Sequence, residues 1–280
     1  MLTRILLLAV GVLLPAGALA AEAPQRIVSI NLCADELLLT LADPDQIAAL
    51  SIYAADPVMS FTADTARGFR HDVADAEQIV DLEADLILAG RYTKRATREM
   101  LERLGYRVEL LDAVASVDDS IAQIERIAAL IGHPERGAAL VAEIEMARDR
   151  ADAGADNDAR PTASVYQRRG YVTGGQTLTG DLLAIAGFDN AGANLAGERG
   201  GFVPLETIVA DPPDFIVVAA LDRDVEDQGS ALLAHPALAR MYPPEKRIVL
   251  PERLTVCGGP SLPAALDRLA AEARRIVPSP

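Results

Sequence analysis

Across residues 135–153 the apolar positions Leu140, Val141, Ile144, Ala147 and Ala151 fall at i, i+1, i+4, i+7 and i+11, a single stripe on a 3.6-residue period. The spacing predicts a helix, with Pro134 tolerated in its first turn and Gly154 placed to end it. At the helical rise per residue it runs for about 28 Å, long enough to act as a strut between two small lobes.

On each side of this helix, short apolar runs alternate with helical patterns. Strands are predicted at 26–30, 47–52, 86–89 and 107–111 before it, and at 164–167, 215–219 and 247–250 after it. Helices are predicted at 35–42, 94–104 (stopped by Gly105), 118–131, 181–186 and 262–276. Asp75 and Gln78 have capping-box spacing before a short helix at 77. Alternation of this kind implies an α/β chain with mainly parallel sheets.

The two flanks also carry a weak repeat. Residues 77–90 read EQIVDLEADLILAG and residues 206–219 read ETIVADPPDFIVVA, in ungapped register at an offset of 129. Glu77, Ile79, Val80, Asp85 and Ile87 match Glu206, Ile208, Val209, Asp214 and Ile216. Upstream of each copy lies a strand and then a helix, so the chain reads as two lobes of one element order. The polar, turn-rich run at 152–161 marks a lobe boundary. The division expected is a leader at 1–20, an N-terminal lobe at 21–116, a connecting helical segment at 117–160 and a C-terminal lobe at 161–280.

Residues 1–20 carry Arg4, an apolar run from 5 to 14 and the small-x-small triplet Ala18-Leu19-Ala20. This is the pattern of a secretory signal peptide cleaved near Ala20, so an exported, periplasmic chain is expected. No other run has the length needed to span a bilayer. The formal charge is −15, and loss of Arg4 takes it to −16. Such acidity opposes nucleic acid and anionic lipid as partners and says little about small ligands, which see local charge. Trp is absent, which excludes a cleft built on stacked indoles.

Taken in order, the leader, RIVSINLCADELLL, EQIVDLEADLILAGRY, the single long helix, VPLETIVADPPDFIVV, LLAHPAL and the closing RIVLPERLTVCGG resemble the periplasmic substrate-binding proteins of ABC importers for iron-siderophore, haem and cobalamin. The resemblance covers essentially the whole mature chain, although no single motif in it is diagnostic. It implies two Rossmann-like lobes with mainly parallel sheets joined by one long α-helix, and a metal chelate held between them for delivery to an ABC importer permease. A monomer without a cofactor of its own is expected. Glu77 and Glu206 match the positions where that family places one Glu per lobe for docking on the permease. The plain alternative is that each carboxylate only complements the positive end of a short helix.

Loops at strand ends supply the cleft candidates Tyr53, Arg91, Tyr92, Arg168, Arg169, Tyr171 and Arg253. Arg gives forked hydrogen bonds and Tyr flat apolar contact, which suits an anionic chelate. Cys33 and Cys257 are the only thiols and fall in two turns expected to face the cleft, one per lobe. In an exported chain a disulfide is one reading, a ligand-contacting or soft-metal pair another, and two inert small residues a third. No metal site is expected, because His71, His133 and His235 do not have ligand spacing and the acidic loop with Asp222, Asp224 and Asp227 lacks the Gly and distal Glu of a calcium loop. Nor is an enzyme: G-x-S-x-G, H-E-x-x-H and a Walker loop are all missing, which sets a secreted hydrolase behind a binding protein. A sensor presenting bound solute to a receptor would use the same two-lobe shell.

Overall fold

The computed structural model describes residues 22–73, 75–153, 160–219 and 235–276. The leader at 1–20, Gly154 and the acidic loop at 222–227 lie outside the described residues. The N-terminal half holds β1 (Ile27–Ser29), α1 (Leu32–Leu41), β2 (Ile47–Ala49), α2 (Ala63–Ala66), α3 (Ala76–Val80), β3 (Leu86–Gly90), α4 (Arg95–Arg103) and β4 (Val108–Leu111). Two helices follow, α5 (Val117–Leu130) and α6 (Pro134–Asp152). The C-terminal half holds β5 (Thr162–Val165), β6 (Tyr171–Val172), α7 (Leu178–Ile185), β7 (Asp189–Asn190), α8 (Gly192–Ala196), β8 (Gly201–Phe202), α9 (Leu205–Ala210) and β9 (Phe215–Val218). It closes with α10 (Pro236–Met241), β10 (Arg247–Val249) and α11 (Leu262–Ile276).

Both four-stranded sheets are parallel throughout, ordered β2-β1-β3-β4 and β7-β5-β9-β10. In chain order each runs second, first, third, fourth, so the two lobes have one topology. The sequence repeat is the imprint of that topology. Ile79 and Ile208 are fully buried, whereas Val80 and Val209, next to them, are exposed. Ile87 lies opposite Val28 of the neighbouring strand, and Ile216 opposite Ser164. Asp85 accepts hydrogen bonds from the backbone N–H groups of Gln25 and Arg26, and Asp214 accepts from the N–H and hydroxyl of Thr162. Each aspartate thus ties the start of its own strand to the start of the first strand of its sheet. Asp75 and Gln78 form the capping box that their spacing predicts.

Strands β3 and β9 read as unbroken apolar runs because both faces of a parallel sheet are covered. Leu86 and Leu88 point to one side of β3 and Ile87 to the other; Val217 and Ile216 divide in the same way on β9. The outer faces have separate clusters, but the inner faces share one. That shared cluster takes in Leu86 and Leu88, Val217 and Ile248, and the stripe Leu140, Ile144, Ala147 and Ala151 of α6.

The long helix therefore joins the lobes without standing free between them. It lies between α5 and α11, with Arg148 bonded to Asp118 at 2.7 Å and Arg150 forked onto Asp267 at 2.9 and 3.0 Å. At Gly137 the approach to α5 is so close that an added Cβ would stand 2.5 Å from the Ala128 methyl. The inner face of each short sheet is covered by a helical layer common to both lobes, because neither face can be left in water.

Candidate ligand-binding cleft

A cavity of about 660 Å³ opens at the carboxyl ends of the four strands of the first sheet. Every strand of that sheet contributes the loop that follows it: Asn31 and Cys33 after β1, Ile52 and Tyr53 after β2, residues 91–94 after β3 and residues 112–114 after β4. Facing them from the other lobe are Leu178, at the start of α7, and residues 255–258. Parallel α/β sheets present loops, helix N-termini and free backbone groups at this end, which is where they bind ligands.

The loops are fixed by short-range chemistry. Asn31 caps α1, its side-chain oxygen accepting from the N–H groups of Cys33 and Ala34 at 3.0 and 3.2 Å. This cap needs Gly90 beside it, since an added Cβ there would lie 2.3 Å from the Asn31 amide nitrogen. Helix α1 starts at Leu32, so residues 32–34, expected in a turn, are its first turn. Cys33 in that turn is bonded to Cys257 of the other lobe, with Cα atoms 5.2 Å apart and 224 residues between them in the chain. Gly258, next in line, packs against Val114 and Ser120, where an added Cβ would fall 2.6 Å from the Ser120 hydroxyl. The disulfide therefore spans the cleft at a place where the lobes already touch.

The lining is chiefly apolar and aromatic, and its largest side chains are open to solvent: Tyr92 is 86% exposed and Tyr53 51%. An exposed apolar surface inside a concavity marks a place that something else covers. Charges are balanced in number, with Arg91 and Lys94 against Asp75 and Asp112. Arg91 and Asp112 pair with each other at 3.2 Å.

The wall that carries Ile52, Tyr53 and Met59 hangs on two buried acids of α1. Asp35 accepts from the Ser51 N–H at 3.0 Å and from its hydroxyl at 2.5 Å; Glu36 accepts from the Phe61 N–H at 2.7 Å. Both carboxylates are fully buried. Burial raises Asp35 to about 6, against the lowering effect of hydrogen bonds from Ser29 and Ser51. It raises Glu36 to about 7, against the hydrogen bond from Phe61 and with further lifting by the Asp35 charge.

Of the residues expected in the cleft, Cys33, Tyr53, Arg91, Tyr92 and Cys257 line the cavity. Arg168, Arg169, Tyr171 and Arg253 are not among its lining residues. Arg168, Arg169 and Tyr171 follow β5, with Tyr171 opening β6, and Arg253 follows β10, so all four lie beyond the carboxyl ends of strands of the second sheet. Tyr171 stands edge-on to the exposed ring of Phe202 at 5.5 Å and its hydroxyl donates to the Arg199 carbonyl. Arg169 has a left-handed backbone, with φ at 61°. Glu77 and Glu206 are exposed in the first turns of α3 and α9. Asn31, Met59, Lys94 and Val256 are lining residues that residue-type reasoning passed over; the rule that ligands sit beyond strand ends would have named the first three.

Each of the three histidines has a protein hydrogen-bond partner: His71 the Phe69 carbonyl, His133 the distant Gln46 side chain, and His235 the Ala237 N–H as the cap of α10. Among the described residues no group of three or more His, Cys, Asp and Glu is placed to hold a metal ion.

The family profile described as periplasmic binding protein matches residues 27–243. A protein of Halobacterium salinarum called cobalamin-binding protein is 28% identical over 224 residues, which is 78% of this chain and 60% of the relative's length. Among solved structures, the apo periplasmic heme-binding protein RhuT of Roseiflexus superposes with a TM-score of 0.71 at 22% identity, covering 89% of this chain and 99% of that one. The vitamin B12-binding protein BtuF of Vibrio cholerae gives a TM-score of 0.71 at 16% identity over 92% of this chain and 99% of that one. At these identities the structures share the fold.

Proposed function

The chain belongs to the periplasmic binding protein family, a family of binding proteins rather than enzymes, and from that premise we propose that it captures a cobalamin-type metal chelate in the cleft and delivers it to an ABC importer. The observation that carries this reading is the cavity at the strand ends, apolar, flanked by two exposed tyrosines and balanced in charge. That lining suits a bulky amphipathic ligand near electrical neutrality better than a compact anion, whose charge Asp75 and Asp112 would oppose. The name of the Halobacterium relative supports the same choice, although this chain spans only 60% of that protein. Haem and iron-siderophore are the competing chelates.

On this reading the chain divides into an N-terminal lobe (21–116), a connecting segment (117–160) and a C-terminal lobe (161–280), and it acts as a periplasmic monomer after loss of its leader. The disulfide supports export, since such bonds persist in oxidising compartments. Arg168, Arg169, Tyr171 and Arg253 extend the second lobe's side of the cleft. Glu77 and Glu206, exposed at equivalent places in two lobes of one topology, give the permease a two-point electrostatic register.

Purified mature chain titrated separately with cyanocobalamin, haemin and ferrichrome in a calorimeter tests the proposal. One-to-one binding of cyanocobalamin, with the other two weaker, is expected. Preference for haemin or ferrichrome would replace the ligand, and binding of none of the three would overturn the reading.

A further inference from the structure

The segment between Ser51 and Phe61 makes a wall of the cavity and has an unusual attachment. Its own hydrogen bonds are local: Ala54 N–H to the Ser51 carbonyl, Asp56 N–H to Tyr53, Ser60 N–H to Asp56, and Val58 and Met59 N–H groups to the Asp56 carboxylate. Its hydrogen bonds to α1 are made at its two ends, by Ser51 on Asp35 and by Phe61 on Glu36, with buried Ala54 packed in the core cluster between them. One of these holds is incomplete. Glu36 Oε1 is taken by Phe61, but Oε2 is buried with no partner among the described residues.

A buried carboxylate with one bare oxygen is poorly served as an anion and well served as a neutral acid. Among the described residues nothing around it supplies a compensating cation. Strands β1 and β3, packed on α1, have no titratable side chain, and Asp64 of α2 is exposed and paired with Arg67. The charged side chains of α5 are exposed. On α6, Arg136 is held by Asp43 and the Leu41 carbonyl, Arg148 by Asp118 with Glu145 nearby, Arg150 by Asp267, and Glu135, Glu143, Asp149 and Asp152 are exposed. Asp56 is the acid of the wall itself and is occupied by Val58 and Met59. Among the described residues the charge that acts on Glu36 is the like charge of Asp35.

We propose that Glu36 is a proton-sensitive positioning residue of the cleft: protonated, it holds the wall from Ser51 to Phe61 against α1 with Tyr53 presented to ligand, and ionised, it lets that wall loosen. Opening admits water to Glu36 and returns it toward its ordinary value of 4.5, while the closed wall keeps it near 7. The preference for the closed wall is therefore complete below about 4.5, lost progressively between there and about 7, and absent as a contribution above that. Any ligand that rests on Tyr53 favours the closed wall and takes up a proton within this window. The ligand half of the inference rests on the binding reading above, whereas the behaviour of the wall does not.

Hydrogen–deuterium exchange of the ligand-free mature chain, corrected for intrinsic rates, reads the wall directly. Protection of the Ser51–Phe61 peptide should fall by about tenfold or more between pH 5 and pH 7.5, and Glu36→Gln should flatten that profile. A flat profile in the wild type, or the same slope in Glu36→Gln, overturns the proposal. Carboxyl ¹³C NMR of Glu36 in the wild type is independent of any folding defect in the variant, and a midpoint near the ordinary glutamate value overturns it as well. Titration with cyanocobalamin at pH 5 and 8 adds the ligand arm: affinity should weaken at the higher pH in the wild type and change less in Glu36→Gln. An equal change in both chains counts against the coupling. If cyanocobalamin does not bind at either pH, the binding reading falls while the exchange result still decides the wall.

Discussion

Asp85 and Asp214 stand 129 positions apart in the chain and perform one task in two lobes, each accepting backbone N–H from the residues that open the first strand of its sheet. Replacing either by Ala leaves those N–H groups to water. Both sites are solvent-accessible, so each change is expected to cost about 1 kcal/mol. The double variant should be additive, because the two sites share no partner. Urea denaturation followed by circular dichroism measures this.

The Asp214 carboxyl is held below its ordinary value, first by the Thr162 N–H and then by the Thr162 hydroxyl. Its contribution is present above the ordinary aspartate value and fades as pH falls through the lowered one. Asp214→Ala should therefore lose less stability than the wild type on acidification in that region, seen as a shallower acid limb in a melting-temperature profile. An identical limb would show that the bond to Thr162 does not discriminate between folded and unfolded chain.

The disulfide joins two ends that lie 224 residues apart. Oxidised protein denatured without reductant should yield no free thiol, and reduction should yield two. Cys33→Ser with Cys257→Ser should lose about 2–4 kcal/mol, less than the loop-closure limit, because the lobes already share a core. Thermal melts of both forms at one pH provide the comparison.

Gly137→Ala raises helix propensity yet places a methyl 2.5 Å from that of Ala128. Packing should win over propensity, with a net loss of about 1–3 kcal/mol. A gain in stability would mean that α5 and α6 can separate by the width of a methyl without loosening the common core.

Tyr53→Ala and Tyr92→Ala remove exposed rings, so folding stability should change by about 0.5 kcal/mol or less. Cyanocobalamin affinity should fall by about tenfold for each, corresponding to about 1.4 kcal/mol. Calorimetry on folded variants separates the two effects, and unchanged affinity in both would place the ligand elsewhere.

Charge reversal at Glu77 and Glu206 should abolish uptake of labelled cobalamin by cells while the purified double variant binds cyanocobalamin with wild-type affinity. Uptake at the wild-type rate would reduce the two glutamates to helix-end charges.

The sequence by itself determined the longer strands and helices in order, the long helix and the duplicated plan, because those depend on local period: a 3.6-residue stripe, short apolar runs and turns; β6, β7, β8, α2 and α8, too short to show a period, were formed by tertiary pairing and packing. It also set the shared positions of the repeat, since the lobes use Ile79 and Ile208, or Asp85 and Asp214, for one purpose each. Periodicity says that the stripe of α6 is buried and is silent on what it is buried against; that both sheets close on one helical layer was decided in three dimensions. The cavity follows the same division. The loops beyond the strand ends of the first sheet were legible, Asn31, Met59 and Lys94 among them, but Val256 entered it through the packing of the other lobe against those loops. Asp35 and Glu36 are the sharpest case. In the chain they read as a polar step at the start of a helix, and only the folding of residues 51–61 over that helix turns them into buried acids, because burial is a property of the neighbours and not of the residue.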